Sequence, residues 1–202
     1  MAEHEGGFKD FFNRHLMARR EELKGKVIVD VPAGSGTTSA LLNSLGAKVF
    51  SFDLFPEYFQ PTHIKCQRAD VLRGLPFPDG AADFVICQEG IEHFSDQKKA
   101  LAELSRMLKI GGRLLLTTPN YSNLRAKLSY LLAESERFGS SMPPNEIDSI
   151  WMVKPELSND IYLGHVFLIG IQKLRVLAKL SGLNIEQVHF ESFKPTSVLL
   201  FP

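Results

Sequence analysis

Cysteine is scarce in this chain of 202 residues: only Cys66 and Cys87 occur. Both sit in strand-like apolar runs without metal-ligand spacing, which excludes a cysteine-rich metal or disulfide scaffold. They read as core thiols in a reducing compartment, and a cytoplasmic location is expected. Net charge is lacking too, since 23 basic residues balance 23 acidic ones. No overall basic field therefore argues for nucleic acid. No run of 18 apolar residues marks a membrane span. The N-terminus, Met1-Ala-Glu-His-Glu, lacks the form of a signal peptide, and no repeat or low-complexity tract is present. The length suits one domain, residues 1–202, with a sizeable core.

What is present is organised around Val27-Ile-Val-Asp30-Val-Pro-Ala-Gly34-Ser-Gly36-Thr-Thr. Apolar and β-branched residues run into a glycine-spaced turn, and a helical pattern with Leu41, Leu42 and Leu45 on one side follows at once. This is strand, tight loop, helix start, and a strand apolar on both faces belongs in a covered parallel sheet. Gly34 and Gly36 permit positive φ and close approach of a ligand, while the free N–H groups of the helix start favour a negative or electron-rich group. Two nucleotide-cofactor readings compete. A dinucleotide fingerprint requires a third glycine where this chain has Ser39. The alternative is an acid before the loop, D-x-x-x-G-x-G, and Asp30 supplies it. A purely structural glycine turn is the third reading.

Before this stretch, residues 8–20 have helical spacing, with Phe8, Phe11, Phe12, His15 and Leu16 on one face. They predict a helix that covers the cofactor site or one sheet face, with His15 packed. After it, Gly46 closes the first core helix and Ala47–Phe52 is the second strand. That strand ends at Asp53, about 20 residues past the glycines, where a nucleotide-binding βαβ unit places an acid for ribose hydroxyls; a capping aspartate is the bland alternative. Ile64–Arg68 is a third strand leading to Asp70, and Ala82–Cys87 a fourth that delivers Gln88-Glu-Gly-Ile-Glu-His93 to the same edge. Ser95 is expected to cap a helix Asp96–Lys109, Gly111-Gly112 to end it, and Arg113–Thr118 to form the fifth strand. Alternation then breaks. A helix Ser122–Glu136 and a loop Gly139–Asn145 belong to an insertion, residues 120–165, expected to be a substrate lid. A helix Ile171–Leu180, a sixth strand Asn184–Phe190 and a seventh at Ser197–Phe201 complete the pattern. The abrupt apolar stop at Pro202 predicts a truncated chain, with a natural continuation that finishes the sheet edge or touches a membrane peripherally.

Taken in order, several motifs point one way: Asp30-x-x-x-Gly34-x-Gly36, Asp53, Ala69-Asp70, Leu75-Pro-Phe-Pro-Asp-Gly with Asp83-Phe-Val, Glu89-x-x-Glu92-His93, Leu101-x-Glu-Leu-x-Arg-Met-Leu-Lys-x-Gly111-Gly112 and Thr118-Pro-Asn120. This series resembles the class I S-adenosylmethionine-dependent methyltransferases of the type 11 group, most of all the ubiquinone-biosynthesis O-methyltransferases and related sugar or lipid-head-group enzymes. The resemblance covers residues 27–120 and extends more weakly through Gly164-His165-Val166. It implies an α/β, Rossmann-like, mostly parallel seven-stranded sheet of order 3-2-1-4-5-7-6, flanked by helices, with a helical insertion after strand five. That order separates strands three and four, so Cys66 and Cys87 should not be bridged.

The resemblance also implies roles. The loop Asp30, Val31, Pro32, Ala33, Gly34 and Gly36 would wrap the methionine end of S-adenosyl-L-methionine. Asp53 and Leu54 would take the ribose, Asp70 and Val71 the adenine, and Gln88, Glu89 and Gly90 the sulfonium side. Pro32 departs from the family's usual glycine and removes one N–H. The acceptor would be a small hydroxylated or carboxylated molecule, with O-methylation favoured. Histidine's ordinary pKa of about 6.5 suits proton removal near neutrality, which makes His93 the first base candidate and His165 the second; a structural role at the helix entry is the alternative for His93. Glu89, Glu92 and His93 are also an oxygen/nitrogen metal set in the manner of the ubiquinone-pathway relatives, although no fourth ligand is identifiable. Two further readings stay open: a non-catalytic relative that binds cofactor or a partner protein, and an NAD-dependent oxidoreductase, which Ser39 disfavours. On sequence alone, Asp53→Asn should be milder than Asp53→Ala, because the amide keeps one acceptor oxygen.

Overall fold

The computed structural model describes residues 3–119, 124–133, 167 and 169–190. The chain divides into two compact units, Met1–Gln88 with Ala102–Leu116 and Glu89–Leu101 with Thr117–Pro202.

In the first unit, α1 (Glu3–Ala18) and the short α2 (Arg20–Leu23) precede β1 (Val27–Asp30). Then come α3 (Thr37–Ser44), β2 (Lys48–Asp53), β3 (Cys66–Arg68) and β4 (Ala82–Gln88). The helix α4 (Gln97–Met107) leads directly into β5 (Leu108–Thr117). The sheet has five strands in the order β3-β2-β1-β4-β5. The pairs β1–β2, β1–β4 and β2–β3 are parallel, with Asp30 opposite Ser51 and Ile86, and Asp53 opposite Arg68. Ile28 and Val29, on opposite faces of β1, are both fully buried, as a strand covered on two sides requires. One core layer consists of Phe12, Leu16 and Leu23 against Ile28, Leu42, Ala47, Phe84 and Ile86. The N-terminal helix thus covers the sheet as expected, and His15 is half-buried beside Leu16.

Sequence order reverses between β1 and β4, so the chain leaves these neighbours in opposite directions and opens a crevice at their carboxyl ends. Glycine at position 46, with φ 82°, turns the chain from α3 into β2, as the C-cap reading required. Both cysteines are free, Cys87 buried and Cys66 half-buried. Burial, with Asp53 and Asp30 nearby, pushes the Cys66 thiol up to about 12, so it remains a protonated thiol.

Several expected boundaries move. Asp96, not Ser95, caps α4: its Oδ1 accepts the Lys99 N–H at 2.9 Å. Gly111 and Gly112 do not end that helix; it ends at Met107 and both glycines lie inside β5. In the second unit, α5 (Leu124–Ala133) realises the middle of the expected Ser122–Glu136 helix, and Ile171–Leu180 is helical as expected, here α6. Asn184–Phe190 forms no strand. Its apolar residues, Ile185, Val188 and Phe190, break the two-residue period and are all exposed, so nothing fixes a register. Five strands are therefore present among the described residues instead of seven, and Ser197–Phe201, the loop Gly139–Asn145 and most of residues 120–165 lie outside them. No helix among the described residues is long and apolar enough to cross a membrane.

One side chain ties the turn-rich link before β4 to α4. Arg106 donates to Glu103 through Nε at 2.8 Å and Nη2 at 2.7 Å, and to the carbonyls of Phe77 at 2.8 Å and Leu75 at 3.2 Å. It also pairs with Asp79. Glu103 returns the favour to the same link by accepting the Leu75 N–H at 2.6 Å, and the guanidinium holds its carboxyl below the usual range. Lysine cannot reproduce this fork. We expect Arg106→Lys to cost about 1–2 kcal/mol and Arg106→Ala about 2–3 kcal/mol in urea unfolding, because charged hydrogen bonds to buried carbonyls are lost. A loss below about 0.5 kcal/mol in both would mean that the link holds itself.

Candidate functional site

The carboxyl ends of β1, β2 and β4 are stitched together just beyond the ladders. Val31 N–H donates to Ile86 O at 3.0 Å, and Ala33 N–H to Phe52 O at 2.9 Å. The Val31–Pro32 peptide bond is cis. The missing N–H of Pro32 thus falls between two residues whose own N–H groups are used by neighbouring strands. Gly34 follows with φ 52°, and its N–H donates to Asp53 Oδ2 at 2.7 Å. The other oxygen, Asp53 Oδ1, accepts the Phe55 N–H, also at 2.7 Å. One carboxylate at the end of β2, 7 % exposed, therefore fixes both the glycine loop and the chain leaving its own strand.

The two loop glycines have different tasks. A Cβ on Gly34 would meet nothing within 4 Å, so the loop offers open space there. A Cβ on Gly36 would fall 2.5 Å from Pro61 Cδ and 2.6 Å from Phe59 Cε2. Gly36 is thus required by the segment packed on it, which also donates Gln60 N–H to Ser35 O at 3.1 Å. Of the two approach points expected from the spacing, only Gly34 is open on its Cβ side.

Leu54 is half-buried after Asp53, and its carbonyl accepts from Arg68, whose guanidinium also pairs with Glu57 at 2.8 Å. Asp70 lies past β3, accepting the Leu72 N–H at 2.8 Å and pairing with Arg73 at 3.4 Å; Val71 beside it is buried. Gln88 ends β4, and its Oε1 accepts the Thr38 hydroxyl at 2.6 Å.

Behind the loop lies a buried polar group that sequence reasoning missed. Ser39 Oγ, fully buried, donates to Asp30 Oδ2 at 2.5 Å and lies 2.8 Å from Ser51 Oγ. It joins α3 to β1 and β2 at the position where a dinucleotide loop would carry its third glycine. Asp30 is 1 % exposed. Burial pushes its carboxyl up to about 7; the Ser39 hydrogen bond opposes this and the nearby Asp53 adds to it. The available signal was an acid and two serines at strand ends and on the first turn of a helix, a pattern weak without coordinates.

The second unit holds the remaining described candidates. Glu89 has φ 46°; its N–H donates to Thr117 Oγ1 at 3.0 Å, and that hydroxyl donates to Glu89 Oε1 at 3.1 Å. Gly90 is buried, and His93, half-buried in the turn Ile91–His93, donates its N–H to Gly90 O at 3.0 Å. Glu92 is fully buried and accepts the Thr118 hydroxyl at 3.1 Å. Among the described residues no three His, Cys, Asp or Glu side chains are arranged to hold a metal. The Glu89 and Glu92 carboxylates are held by different threonines, Thr117 and Thr118. His165 lies outside the described residues.

Comparison with known proteins agrees with this layout. Residues 29–116 match the family model described as a methyltransferase domain. Over 102 residues the chain is 37 % identical to a demethylmenaquinone methyltransferase of Thermus thermophilus, covering 45 % of this chain and 46 % of the relative. Over 127 residues it is 31 % identical to a ubiquinone biosynthesis O-methyltransferase of Xanthomonas oryzae pv. oryzae, covering 58 % and 53 %. The chain thus spans about half the length of the curated relatives it matches. In fold it is similar to the YcgJ protein of Bacillus subtilis, with TM-score 0.58 and 21 % identity over 85 % of this chain and 68 % of that one. It is also similar to a SAM dependent methyltransferase from Aquifex aeolicus, with TM-score 0.57 and 15 % identity over 87 % and 81 %.

The Asp30 carboxyl makes stability depend on pH with a definite sign. Its folded pKa, about 7, lies above the ordinary aspartate value of 3.8. Its contribution is therefore fully present below about pH 4 and is lost as pH rises through 7. The difference corresponds to roughly 4 kcal/mol at most. Asp30→Asn keeps an acceptor for Ser39 and cannot ionise. Urea unfolding at pH 5 and pH 8 should show a fall in stability for the unaltered protein and a smaller fall for the variant; equal falls would contradict the assignment.

Proposed function

Taking residues 29–116 as the methyltransferase domain they match, we propose that this protein transfers a methyl group from S-adenosyl-L-methionine to a small hydroxylated or carboxylated acceptor, with oxygen the favoured target. The observation that carries the reading is the Asp53 carboxylate beside the open side of Gly34, at the crevice where sequence order reverses. The residues present fit the cofactor. An ionised carboxylate has about four acceptor positions; two hold N–H groups, which leaves one on each oxygen for a vicinal diol. Asp30 to Ala33, Gly34 and Gly36 would hold the methionine end, Leu54 would border the ribose, and Asp70 with Val71 would border the adenine. Gln88, and after it Glu89 and Gly90, take the sulfonium side by the same resemblance.

When bound, the cofactor supplies a methyl group on a positively charged sulfur, which already carries the driving force. The protein's part is alignment, worth up to roughly 7–11 kcal/mol when geometry is right, and removal of the acceptor proton. His93 is the proposed base, with His165 the second candidate. Residues 120–165 are proposed to cover the acceptor, a reading supported by the exposed Leu128, Tyr130, Leu131 and Leu132 of α5. The printed names of the Thermus and Xanthomonas relatives support a small-molecule acceptor. No nucleic acid is part of this reading, and any membrane contact is peripheral.

Asp53→Ala should weaken S-adenosylhomocysteine by about 2–3 kcal/mol, roughly 30- to 150-fold in Kd. The structure changes the expectation for Asp53→Asn. Its amide nitrogen must face either the Gly34 or the Phe55 N–H, setting donor against donor, so we expect a loss as large as that of alanine. Calorimetric titration checks both, and an asparagine variant that binds like the unaltered protein would show that the carboxylate does not hold the loop and diol together. In methyl transfer from labelled S-adenosylmethionine to a panel of small phenols and carboxylic acids, His93→Ala should lower turnover by about 10²–10⁴ with cofactor affinity unchanged. Parallel loss of affinity would make His93 structural.

A further inference from the structure

The chain that follows β4 holds a conformation that its sequence does not favour. Glu89 is the one non-glycine residue with positive φ, 46°, among the described residues. A side chain of this size rarely adopts that region, and where it does the surroundings must enforce it. The enforcement comes from Thr117. Its carbonyl oxygen accepts the Glu89 N–H at 3.2 Å, and its Oγ1 accepts the same N–H at 3.0 Å. The hydroxyl then gives its one proton to Glu89 Oε1 at 3.1 Å. A hydroxyl has one donor and two acceptor positions, so this threonine grips the glutamate by main chain and side chain at once.

The next residue repeats the device. Thr118 Oγ1 donates to Oε2 of the fully buried Glu92 at 3.1 Å. Further on, Gln97 Nε2 donates to Ile91 O at 3.1 Å and to Phe167 O at 2.6 Å, and Phe167 N–H donates to Glu92 O at 3.1 Å. The short turn Ile91–His93 is thus fastened from behind, while its entry, at Glu89, is held by Thr117.

We infer that Thr117 is a positioning residue, whose hydroxyl holds Glu89 in its left-handed conformation and so aims the segment that carries Gly90 and His93. The inference rests on the proposed function, in which Gln88–Gly90 borders the cofactor. Thr117 itself touches neither cofactor nor acceptor in that reading. A direct consequence is that the hydroxyl, not the methyl group, is what matters at position 117. Valine keeps the shape and removes the clasp. Serine keeps the clasp and removes only a methyl from a half-buried position.

The test is titration of the unaltered protein, Thr117→Val and Thr117→Ser with S-adenosylhomocysteine, together with melting temperatures and amide exchange at Glu89. Thr117→Val should bind about tenfold or more weakly and show lower protection at the Glu89 amide, which keeps only the Thr117 carbonyl as acceptor. Thr117→Ser should bind within about threefold of the unaltered protein, with protection kept. Equal binding by all three proteins overturns the inference and leaves the functional reading intact. Serine as weak as valine also overturns it, since a merely structural position would respond to lost packing in both variants and melt lower in both. If the unaltered protein binds no S-adenosylhomocysteine, the functional reading falls and this inference falls with it.

Discussion

A single carboxylate, that of Asp53, holds the candidate site together. Its two oxygens accept the N–H groups of Gly34 and Phe55, each at 2.7 Å. These are hydrogen bonds to a charged acceptor that is almost fully buried, the kind that contributes roughly 1.5–3 kcal/mol each. They join the loop after β1 to the end of β2, and the loop is further bound to both neighbouring strands through Val31 and Ala33. The acid proposed to grip the ligand is thereby also the acid on which the loop's geometry depends. Binding and loop geometry cannot be altered separately at this position.

The second acid lies deeper. Asp30, 1 % exposed, is met by Ser39 through both its hydroxyl and its backbone N–H, and burial nonetheless pushes its carboxyl up to about 7. Two like charges close together in a dry place are costly, and the usual resolution is that one of them takes up a proton. Ser39 makes this tolerable by linking Asp30 to Ser51, which pins α3 against the two strands it connects. The glycine loop is thus held from the front by Asp53 and from behind by a hydroxyl network.

Much of this was legible in the sequence because its periodicities are strong. The strand Val27–Asp30, the helix with Leu42 inward, the placement of Asp53 and Gln88 at strand ends and of Asp70 just past one, and the helix with Leu101 and Leu104 buried all follow from spacing. What could not be read is contact-dependent. Nothing in the spacing distinguishes Gly34, which opens on free space, from Gly36, which is filled by Pro61 and Phe59. Ser39 looked like a departure from a fingerprint, and its hydroxyl proved to be a link between three elements. The expected strand Asn184–Phe190 failed because its apolar residues, Ile185, Val188 and Phe190, do not alternate and are exposed. Thr117 gave no signal at all, since its importance lies in one partner 28 positions earlier in the chain.

The central claim is that this arrangement binds an adenosine-bearing methyl donor and not a dinucleotide. Calorimetric titration of the unaltered protein with S-adenosylmethionine, S-adenosylhomocysteine and NAD tests it most directly. The account predicts one binding site for each of the first two ligands, with comparable affinity because the ribose and adenine are common to both, and none for NAD. Binding of NAD with no measurable affinity for either of the others would contradict it.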